Sequence, residues 1–344
     1  MRLKKHLLIT FALTLLFLNL TCSNTTGPEE EQPGRRDYVW TVDTINLPFS
    51  PFTDITGTSP NDVWVCSPGE GDKIFYHYDG QSWQTDFIPR VFSPLSISSL
   101  NKNAVWSSGF DGKIWFYNET IWSQYHTHNS GTDTSIILQE INGITSSEIY
   151  SVGQYYIGPK NYWGIVLYYQ KNSWSEVKIS KTRTLFAKIC KSNNGKIYLW
   201  GLTQQDINEN NFQFYELDGK NLKEIYSGSQ NTNAEYGSLL QLDSETYFII
   251  GYDFFSYDGN TFSKIGRLSD SPKFMNAGIG RSIKDIFLGM RDGIAHYNGK
   301  NTVYLIQSHE NVFVRKGLIF EKEVFFLGRD VNGNNLIFRG KLND

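Results

Sequence analysis

Short runs of apolar residues that alternate with polar ones fill most of the chain, and turn-forming residues separate these runs. The clearest example is ITGTSPNDVWVCSPGEGDKIFYHYDGQSWQTDFIP at residues 55–89, which holds four such runs. Alternation with a period of two predicts half-buried β-strands. An Asp79-Gly80 pair between the third and fourth runs predicts a hairpin turn in which both central residues take positive φ. The segment therefore predicts one unit of four antiparallel strands.

The same pattern recurs along the chain. A ten-residue segment that ends on an aromatic residue fits seven times without a gap, at residues 55–64, 97–106, 141–150, 189–198, 239–248, 278–287 and 316–325. We call these the repeat segments, and their last residues are spaced by 38 to 50 positions. Repeats of about 40 to 50 residues with four short strands each are typical of a β-propeller. The sequence thus predicts an all-β fold, a seven-bladed β-propeller of four-stranded antiparallel blades.

Two further features indicate how the ring is built. A small residue stands at the third position of four repeat segments, as expected where innermost strands crowd towards an axis, namely Gly57, Ser99, Gly143 and Gly280. The last repeat reaches only its third strand, while residues 37–48 have the pattern of a fourth. We therefore expect an N-terminal strand to complete the last blade, so that the propeller spans residues 37–344 and has no open sheet edge.

The composition narrows the class of partner. Charged residues make up 19% of the chain and aromatic residues 15%, a balance that suits many short strands with polar turns. The formal net charge is −3, and the Lys and Arg residues are scattered rather than gathered in a basic stripe. Nucleic acid is therefore not an expected partner, because its phosphates are neutralised by clustered cations.

The N-terminal segment predicts export. The first five residues, MRLKK, are basic, and residues 7–18 form an apolar run that is short for a membrane span, as in a secretory signal peptide. The following LNLTC resembles the lipobox of bacterial lipoproteins. That resemblance implies that residues 1–21 are removed and that Cys22 is lipidated. An ordinary cleaved signal and an uncleaved anchor are the alternatives.

Residues 22–36 have no apolar periodicity and contain Pro, Gly and three consecutive Glu, so we expect a flexible acidic tether. A similar acidic patch follows the lipidated cysteine of surface lipoproteins of Bacteroidetes-like bacteria. The resemblance implies an extracytoplasmic protein that is anchored by its lipid to the bacterial outer membrane, with display on the cell surface as one option.

The repeats also resemble a known group of proteins. SPNDVW at residues 59–64 and YDGQSW at residues 78–83 look like bacterial extracytoplasmic propellers with sialidase-type Asp-box or photosystem II assembly-factor-like repeats. The resemblance covers residues 37–344 and implies the propeller fold. An Asp-box has Asp-x-Gly before an aromatic residue, whereas Asp and Gly are adjacent here, so the turn is a shorter variant.

The candidate binding surface is the face on which the loops joining second to third strands, and one blade to the next, emerge together. All the long insertions fall there, at residues 126–139, 154–164, 203–211, 227–238 and 269–276. Loops on a rigid scaffold commonly carry function. The aromatic rings and the amide of one insertion would suit a glycan or a protein partner, and these candidates are Tyr155, Tyr156, Asn161, Tyr162 and Trp163. The alternative is that these rings pack over neighbouring loops or fill the central channel.

Signals for chemistry are weak. His126 and His128 have the spacing of a metal pair, with His309 and Glu310 on the same face, but no third ligand accompanies the pair in sequence. We therefore predict no metal and no cofactor. No G-x-S-x-G, phosphate-loop or H-E-x-x-H motif is present. A sialidase-like site would need clustered arginines on this face, and the candidates for it are Arg90, Arg183, Arg267 and Arg315.

The function predicted from these features is that of a non-enzymatic binding or assembly module that engages an envelope protein or a glycan. The enzymatic alternative is a glycan-cleaving hydrolase or lyase that uses acidic residues near the axis of the loop-rich face. A third class is purely structural, a sensor ectodomain or envelope spacer without a small ligand. Cys66 and Cys190 fall on different repeats, so we expect two buried free thiols rather than a disulfide.

Overall fold

The computed structural model describes residues 32–47, 50–69, 71–131, 134–158, 161–206, 209–229, 236–308 and 312–343. The expected signal peptide and Cys22 lie outside this part. Within it the secondary structure is all strand, and no helix is long and apolar enough to cross a membrane. The strands of the described part are β1 Tyr38–Ile45, β2 Asp54–Ser59, β3 Asp62–Cys66, β4 Phe75–Tyr78, β5 Trp83–Gln84, β6 Pro94–Asn101, β7 Ala104–Gly109, β8 Lys113–Tyr117, β9 Trp122–Thr127, β10 Thr134–Thr145, β11 Glu148–Ile157, β12 Tyr162–Gln170, β13 Ser173–Glu176, β14 Leu185–Lys191, β15 Ile197–Asp206, β16 Glu209–Asp218, β17 Asn221–Ser229, β18 Gly237–Leu242, β19 Glu245–Ile250, β20 Asp253–Tyr257, β21 Phe262–Arg267, β22 Phe274–Ser282, β23 Asp285–Met290, β24 Gly293–Tyr297, β25 Thr302–Gln307, β26 Phe313–Ile319, β27 Glu323–Arg329 and β28 Asn335–Leu342.

The strands form six sheets. Four are antiparallel meanders of four strands in chain order, β2 to β5, β6 to β9, β10 to β13 and β14 to β17. A fifth four-stranded sheet has the order β26, β27, β28, β1, and an eight-stranded sheet joins β18 to β21 with β22 to β25. The predicted four-stranded antiparallel unit is therefore confirmed, but the expected separation of every unit into its own sheet is not.

The eight-stranded sheet arises from one close approach of two innermost strands. Its two halves are joined by a single parallel pair, Leu242 with Gly280. A Cβ atom at Gly280 would lie 2.8 Å from Leu242 Cδ2 and 2.4 Å from the Asp285 carbonyl oxygen. Only glycine lets the two strands come near enough to bond at this point. Gly280 is one of the small residues that the sequence placed where innermost strands crowd.

The innermost strands follow one another around a ring. Each of β2, β6, β10, β14, β18, β22 and β26 contacts the next, and β26 contacts β2. Aromatic residues of the repeat segments fill the space between neighbouring sheets. For example, Trp64 lies edge-on to Trp122 of the next sheet, and Trp122 stacks on Phe75 with 3.9 Å between ring centroids. The core is thus a circle of inter-sheet layers rather than one central cluster.

The first strand closes the ring, as predicted. β1 pairs antiparallel with β28 over eight residue pairs, from Tyr38 with Leu342 to Ile45 with Asn335. The Trp40 ring covers Gly340 so closely that a Cβ atom there would lie 2.8 Å from it. Phe52 N and Asn335 Oδ1 add a hydrogen bond of 2.8 Å between the first and last sheets.

The residues before β1 are fastened to a neighbouring sheet. Gly34 N donates to the Lys284 carbonyl at 2.7 Å, and Arg36 Nε donates to His296 Nδ1 at 3.1 Å. The other ring nitrogen of the buried His296 contacts Asp285 Oδ1 at 2.8 Å. The end of the predicted tether is therefore ordered against the turns between first and second strands and between third and fourth strands.

The turn between the third and fourth strands differs from the expected geometry. Gly80 has positive φ, but Asp79 does not. Asp79 Oδ1 instead accepts hydrogen bonds from the amides of Gln81 and Ser82 at 2.8 and 2.9 Å, and the Tyr78 hydroxyl donates to the Gly80 carbonyl at 2.9 Å. These amide bonds hold the pKa of the Asp79 carboxyl below its usual value. The Tyr-Asp-Gly repeat is thus a side-chain-capped turn.

Replacing Trp40 with Ala should lower the free energy of unfolding by about 2 kcal/mol or more, because it removes the ring that covers Gly340 in the closing strand pair. Val39→Ala is the matched control, since Val39 lies on the same strand and is 55% exposed. We expect this control to stay within about 0.5 kcal/mol of the parent in urea denaturation. Equal stability of both variants would show that β1 is not needed for closure.

Candidate functional site

A cavity of about 720 Å³ lies at the centre of the ring. It is lined by the innermost strands β2, β10, β14, β18, β22 and β26, mainly towards the ends at which they begin, and by the second strands β15, β23 and β27. Its apolar wall includes Trp200, Leu202, Tyr236, Met275 and Phe326. Its charged residues are Asp54, Glu140, Lys188, Arg315 and Lys316.

The charged residues come from one column of the repeat. The column is the position immediately before each repeat segment, and we call it the axial column. It contains Asp54, Ser96, Glu140, Lys188, Ser238, Ala277 and Arg315. Irregular pairing, or a β-bulge, occurs next to this position in β6, β10, β14, β22 and β26. Bulges commonly re-aim side chains near functional sites.

Most of the axial column links each innermost strand to the next one. Asp54 Oδ2 accepts from Ile97 N at 3.1 Å, and Ser96 Oγ accepts from Ile141 N at 3.1 Å. In the same way Glu140 accepts from the amide of Ile189. Lys188 Nζ reverses the polarity and donates to the Leu239 carbonyl at 2.8 Å. Different side chains therefore perform one structural task around the axis.

The electrostatics of the cavity follow from this arrangement. Lys316 Nζ lies 3.4 Å from Asp54 Oδ1. Burial lowers the pKa of Lys316, but the carboxylates of Asp54 and Glu140 outweigh this effect and raise that pKa above its usual value. Burial raises the pKa of Glu140, and the nearby Lys316 and Lys188 offset only part of that rise. The Glu140 carboxyl near the axis thus keeps its proton to a higher pH than an exposed glutamic acid does.

Arg315 departs from the pattern of the axial column. Its side chain is exposed, and its guanidinium lies 6.0 Å from the centroid of the Phe313 ring. No described carboxylate pairs with this guanidinium, and no described atom accepts a hydrogen bond from it. Of the four arginines considered for a sialidase-like cluster, Arg315 alone lines the cavity. Arg90 and Arg267 instead form ion pairs with nearby aspartates.

The aromatic residues predicted for binding lie on strands rather than in a loop. Tyr155 and Tyr156 end β11, and Tyr162 and Trp163 begin β12, in one long hairpin. Ile157 N donates to the Asn161 carbonyl at 2.7 Å. The insertion at 203–211 likewise extends β15 and β16. Alternating aromatic residues favour paired strands over an irregular loop, which is why the loop prediction failed here.

The hairpin divides the candidate residues between two faces. Tyr155 pairs with Trp163 and Tyr156 with Tyr162, and directly paired residues share a face of a sheet. Tyr155 packs against the apolar cluster between its own sheet and the preceding one. On the other face the rings of Tyr156 and Tyr162 lie 6.0 Å apart, and the Tyr156 hydroxyl accepts from Gln154 Nε2.

Two basic side chains lie beside the Trp163 ring, which the sequence analysis did not predict. Lys181 Nζ and Arg183 Cζ lie 5.6 and 5.9 Å from the centroid of its ring, within the range of cation–π contact. Arg183 also donates to Asn161 Oδ1 at 3.4 Å. The signal in the sequence was the pair of basic residues two positions apart in the connection that follows β13.

The hairpin tip and the cavity belong to the same face of the ring. β11 runs antiparallel to β10, and Tyr156 lies opposite Ser135 near the start of that innermost strand. The innermost strands that line the cavity do so mainly towards the same ends, at which they begin. The face therefore combines a charged axial cavity with an aromatic hairpin at its side.

The histidine pair does not form a metal site in the described residues. His128 Nε2 lies 3.3 Å from Glu176 Oε2, while the His126 and His128 rings are 6.0 Å apart. Burial lowers the pKa of both histidines. No group of three metal-ligating side chains occurs in the part of the chain that the structure covers, and His309 and Glu310 lie outside that part.

The two remaining cysteines do not line the cavity. Cys66 and Cys190 are buried free thiols, as the sequence predicted. Burial raises the pKa of Cys190 to about 12, and it also raises the pKa of Cys66. Neither thiol is therefore a ready nucleophile.

No protein-family model matches the chain. No curated protein matches its sequence. Its structure is similar to YCF48 bound to D1 peptide, with 13% identity, a TM-score of 0.62 and coverage of 91% of this chain and 100% of that chain. It is also similar to a catalytically inactive virginiamycin B lyase from Staphylococcus aureus with quinupristin, with 10% identity, a TM-score of 0.64 and coverage of 89% and 100%.

A third similar structure is BamB from Moraxella catarrhalis, with 8% identity, a TM-score of 0.51 and coverage of 85% of each chain. These proteins are β-propellers, so the likeness shows that this chain also has a propeller fold. At such identities the likeness shows the fold alone, because one fold serves many functions.

The axial column gives a matched pair of stability predictions. Asp54→Ala should cost about 1–3 kcal/mol in the free energy of unfolding, because Ile97 N loses its acceptor and Lys316 loses its ion pair. Arg315→Gln changes the same column but breaks no such bond, so we expect a change within about 0.5 kcal/mol. Urea denaturation of both variants measures the difference. Equal effects would contradict the division of the column into linking and non-linking residues.

Proposed function

We propose that the chain is an extracytoplasmic, lipid-anchored β-propeller that binds a protein or glycan partner and has no catalytic activity of its own. The observation that carries this proposal is the single face that combines the axial cavity with the β11–β12 hairpin. A closed ring holds both features rigidly, which suits a preformed recognition surface. The partner is expected to contact the hairpin first and the cavity mouth beside it.

The proposed ring has seven blades. This count treats the eight-stranded sheet as two blades, because one residue pair joins its halves while every other pairing within them is antiparallel. It agrees with the seven repeat segments in the sequence. Under this count the β1 strand is the outermost strand of the last blade.

The proposed location is the outer membrane of a bacterium, with the lipid on Cys22 and with surface display as one option. It is supported by the lipobox-like LNLTC and the acidic residues that follow it. The entry point of the chain agrees with such an anchor. Gly34 and Arg36 contact turns on the face opposite to the cavity mouth.

A protein is the first choice of partner, and a glycan is the second. One similar structure is of YCF48 bound to a D1 peptide, so a propeller of this shape can hold a peptide. In the present chain, Trp163 with its flanking Lys181 and Arg183 offers a flat apolar ring beside two cations. Tryptophan and arginine are enriched among the residues that dominate protein interfaces.

Trp163→Ala and Tyr156→Ala should separate the two faces of the hairpin. We expect the partner to lie against the face of the hairpin that carries Trp163, beside Lys181 and Arg183. In that case Trp163→Ala weakens capture by about tenfold to hundredfold, because a central aromatic residue carries much of the binding energy. Tyr156→Ala, on the other face, changes capture little. The measurement is quantitative affinity capture from native envelope extracts, followed by titration of the captured component.

Ile121→Ala is the control for this experiment, since Ile121 is an exposed apolar residue in a turn on the opposite face. Its capture should equal that of the parent. Unchanged capture by the Trp163→Ala, Tyr156→Ala double variant, with normal urea denaturation, would remove the hairpin from the proposed interface.

A second candidate function is glycan cleavage, and Glu140 is the observation that favours it. Its carboxyl is buried near the axis with a raised pKa, as in many general acids. If the chain were such an enzyme, Glu140→Gln would lower the release of reducing ends from envelope glycans about a hundredfold or more. Under the binding proposal, parent and variant alike release none above the buffer level.

A further inference from the structure

We propose that the axial cavity binds a carboxylate carried on an apolar body, and that the Arg315 guanidinium pairs with this carboxylate. The inference rests on the proposed binding function and names the chemistry of the ligand at the cavity. Its volume of about 720 Å³ lies within the range of roughly 300–1,000 Å³ that is usual for small-molecule sites.

Arg315 is the residue that points to an anion. At the other charged positions of the axial column, Asp54, Glu140 and Lys188, the side chain is hydrogen-bonded to the backbone of the next innermost strand. Arg315 occupies the same column, yet no described residue supplies an acceptor for its guanidinium. The planar fork of arginine binds a carboxylate with two parallel hydrogen bonds. An unused fork at the wall of a cavity is therefore a ready anion site.

The acids of the cavity do not compete for this arginine. Asp54 accepts from Ser96 Oγ at 2.5 Å and from Ile97 N, and it also pairs with Lys316. Glu140 accepts from the Ile189 amide. The three cations of the lining thus face two carboxylates that are already engaged, and the balance favours an added negative charge.

The remaining lining defines the body of the ligand. Trp200, Leu202, Tyr236, Met275 and Phe326 form an apolar wall. Burial of an apolar group on such a wall contributes most of the affinity of a small ligand, while a few polar groups fix its orientation. An aromatic or branched aliphatic carboxylate matches both parts of the cavity.

Isothermal titration of the protein with N-acetyl-phenylalanine, N-acetyl-tryptophan and N-acetyl-leucine tests the proposal, each beside its uncharged amide. We expect saturable binding of at least one acid and binding of its amide that is about tenfold or more weaker. Arg315→Gln should weaken the acid by about tenfold to hundredfold, and Arg315→Lys by less, because lysine keeps the charge but not the fork.

Lys300→Gln is the matched control, because it removes one exposed cation from a turn on the opposite face. Its affinity for the acid should equal that of the parent. Urea denaturation of Arg315→Gln shows whether the variant is folded. Three outcomes would each overturn the inference: no acid binds at millimolar concentration, acid and amide bind equally, or Arg315→Gln binds as the parent does.

A further arm identifies the source of the carboxylate. N-acetyl-Gly-Gly-Phe with a free C-terminus extends the same head group with peptide backbone. Binding about tenfold tighter than that of N-acetyl-phenylalanine assigns the site to the end of a peptide chain, whereas equal binding assigns it to a free carboxylic acid. If partner capture depends on Trp163 while no acid binds, only this inference fails and the proposed function stands.

Discussion

The ring depends on hydrogen bonds that join a side chain of the axial column on one innermost strand to the backbone of the next innermost strand. Asp54, Ser96 and Glu140 each accept the amide at the start of the following repeat segment, and Lys188 donates to the corresponding carbonyl. These bonds act beside the apolar layers that pack between neighbouring sheets. These bonds join one innermost strand to the next at four of the seven junctions between innermost strands.

One side of the cavity is formed by the innermost strands that the axial column does not link. After Lys188 the axial column continues with Ser238, Ala277 and Arg315, and among the described residues none of these side chains is hydrogen-bonded to the next innermost strand. The backbone pair of Leu242 with Gly280 and the bonds from Arg281 to the Phe320 carbonyl take over the linking role farther from the mouth. Space near the mouth is therefore left between these strands, and no described residue pairs with the Arg315 guanidinium. One change in the linking pattern explains both the cavity and its chemistry.

The sequence predicted the features that repeat in kind. The aromatic ends of the repeat segments, the four-strand unit and the pairing of β1 with β28 all follow from alternation and spacing. The linking role of the axial column was not predicted, because Asp, Ser, Glu and Lys share a position and a structural role but no chemical type. The sequence did not predict on which face of the sheet Tyr155 and Trp163 lie. A segment interpreted as a loop has no register, and only the register assigns side chains to a face.

The strand that closes the ring is also the first strand of the part of the chain that the structure describes. Any tension on that end is carried first by Gly34 and Arg36 and then by β1. A pull along the strand direction loads the eight pairs with β28 in shear, so they resist together rather than opening one by one. The same eight pairs that complete the fold thus also give it mechanical resistance. The lifetime of the ring under load follows its rate of unfolding rather than its free energy of unfolding.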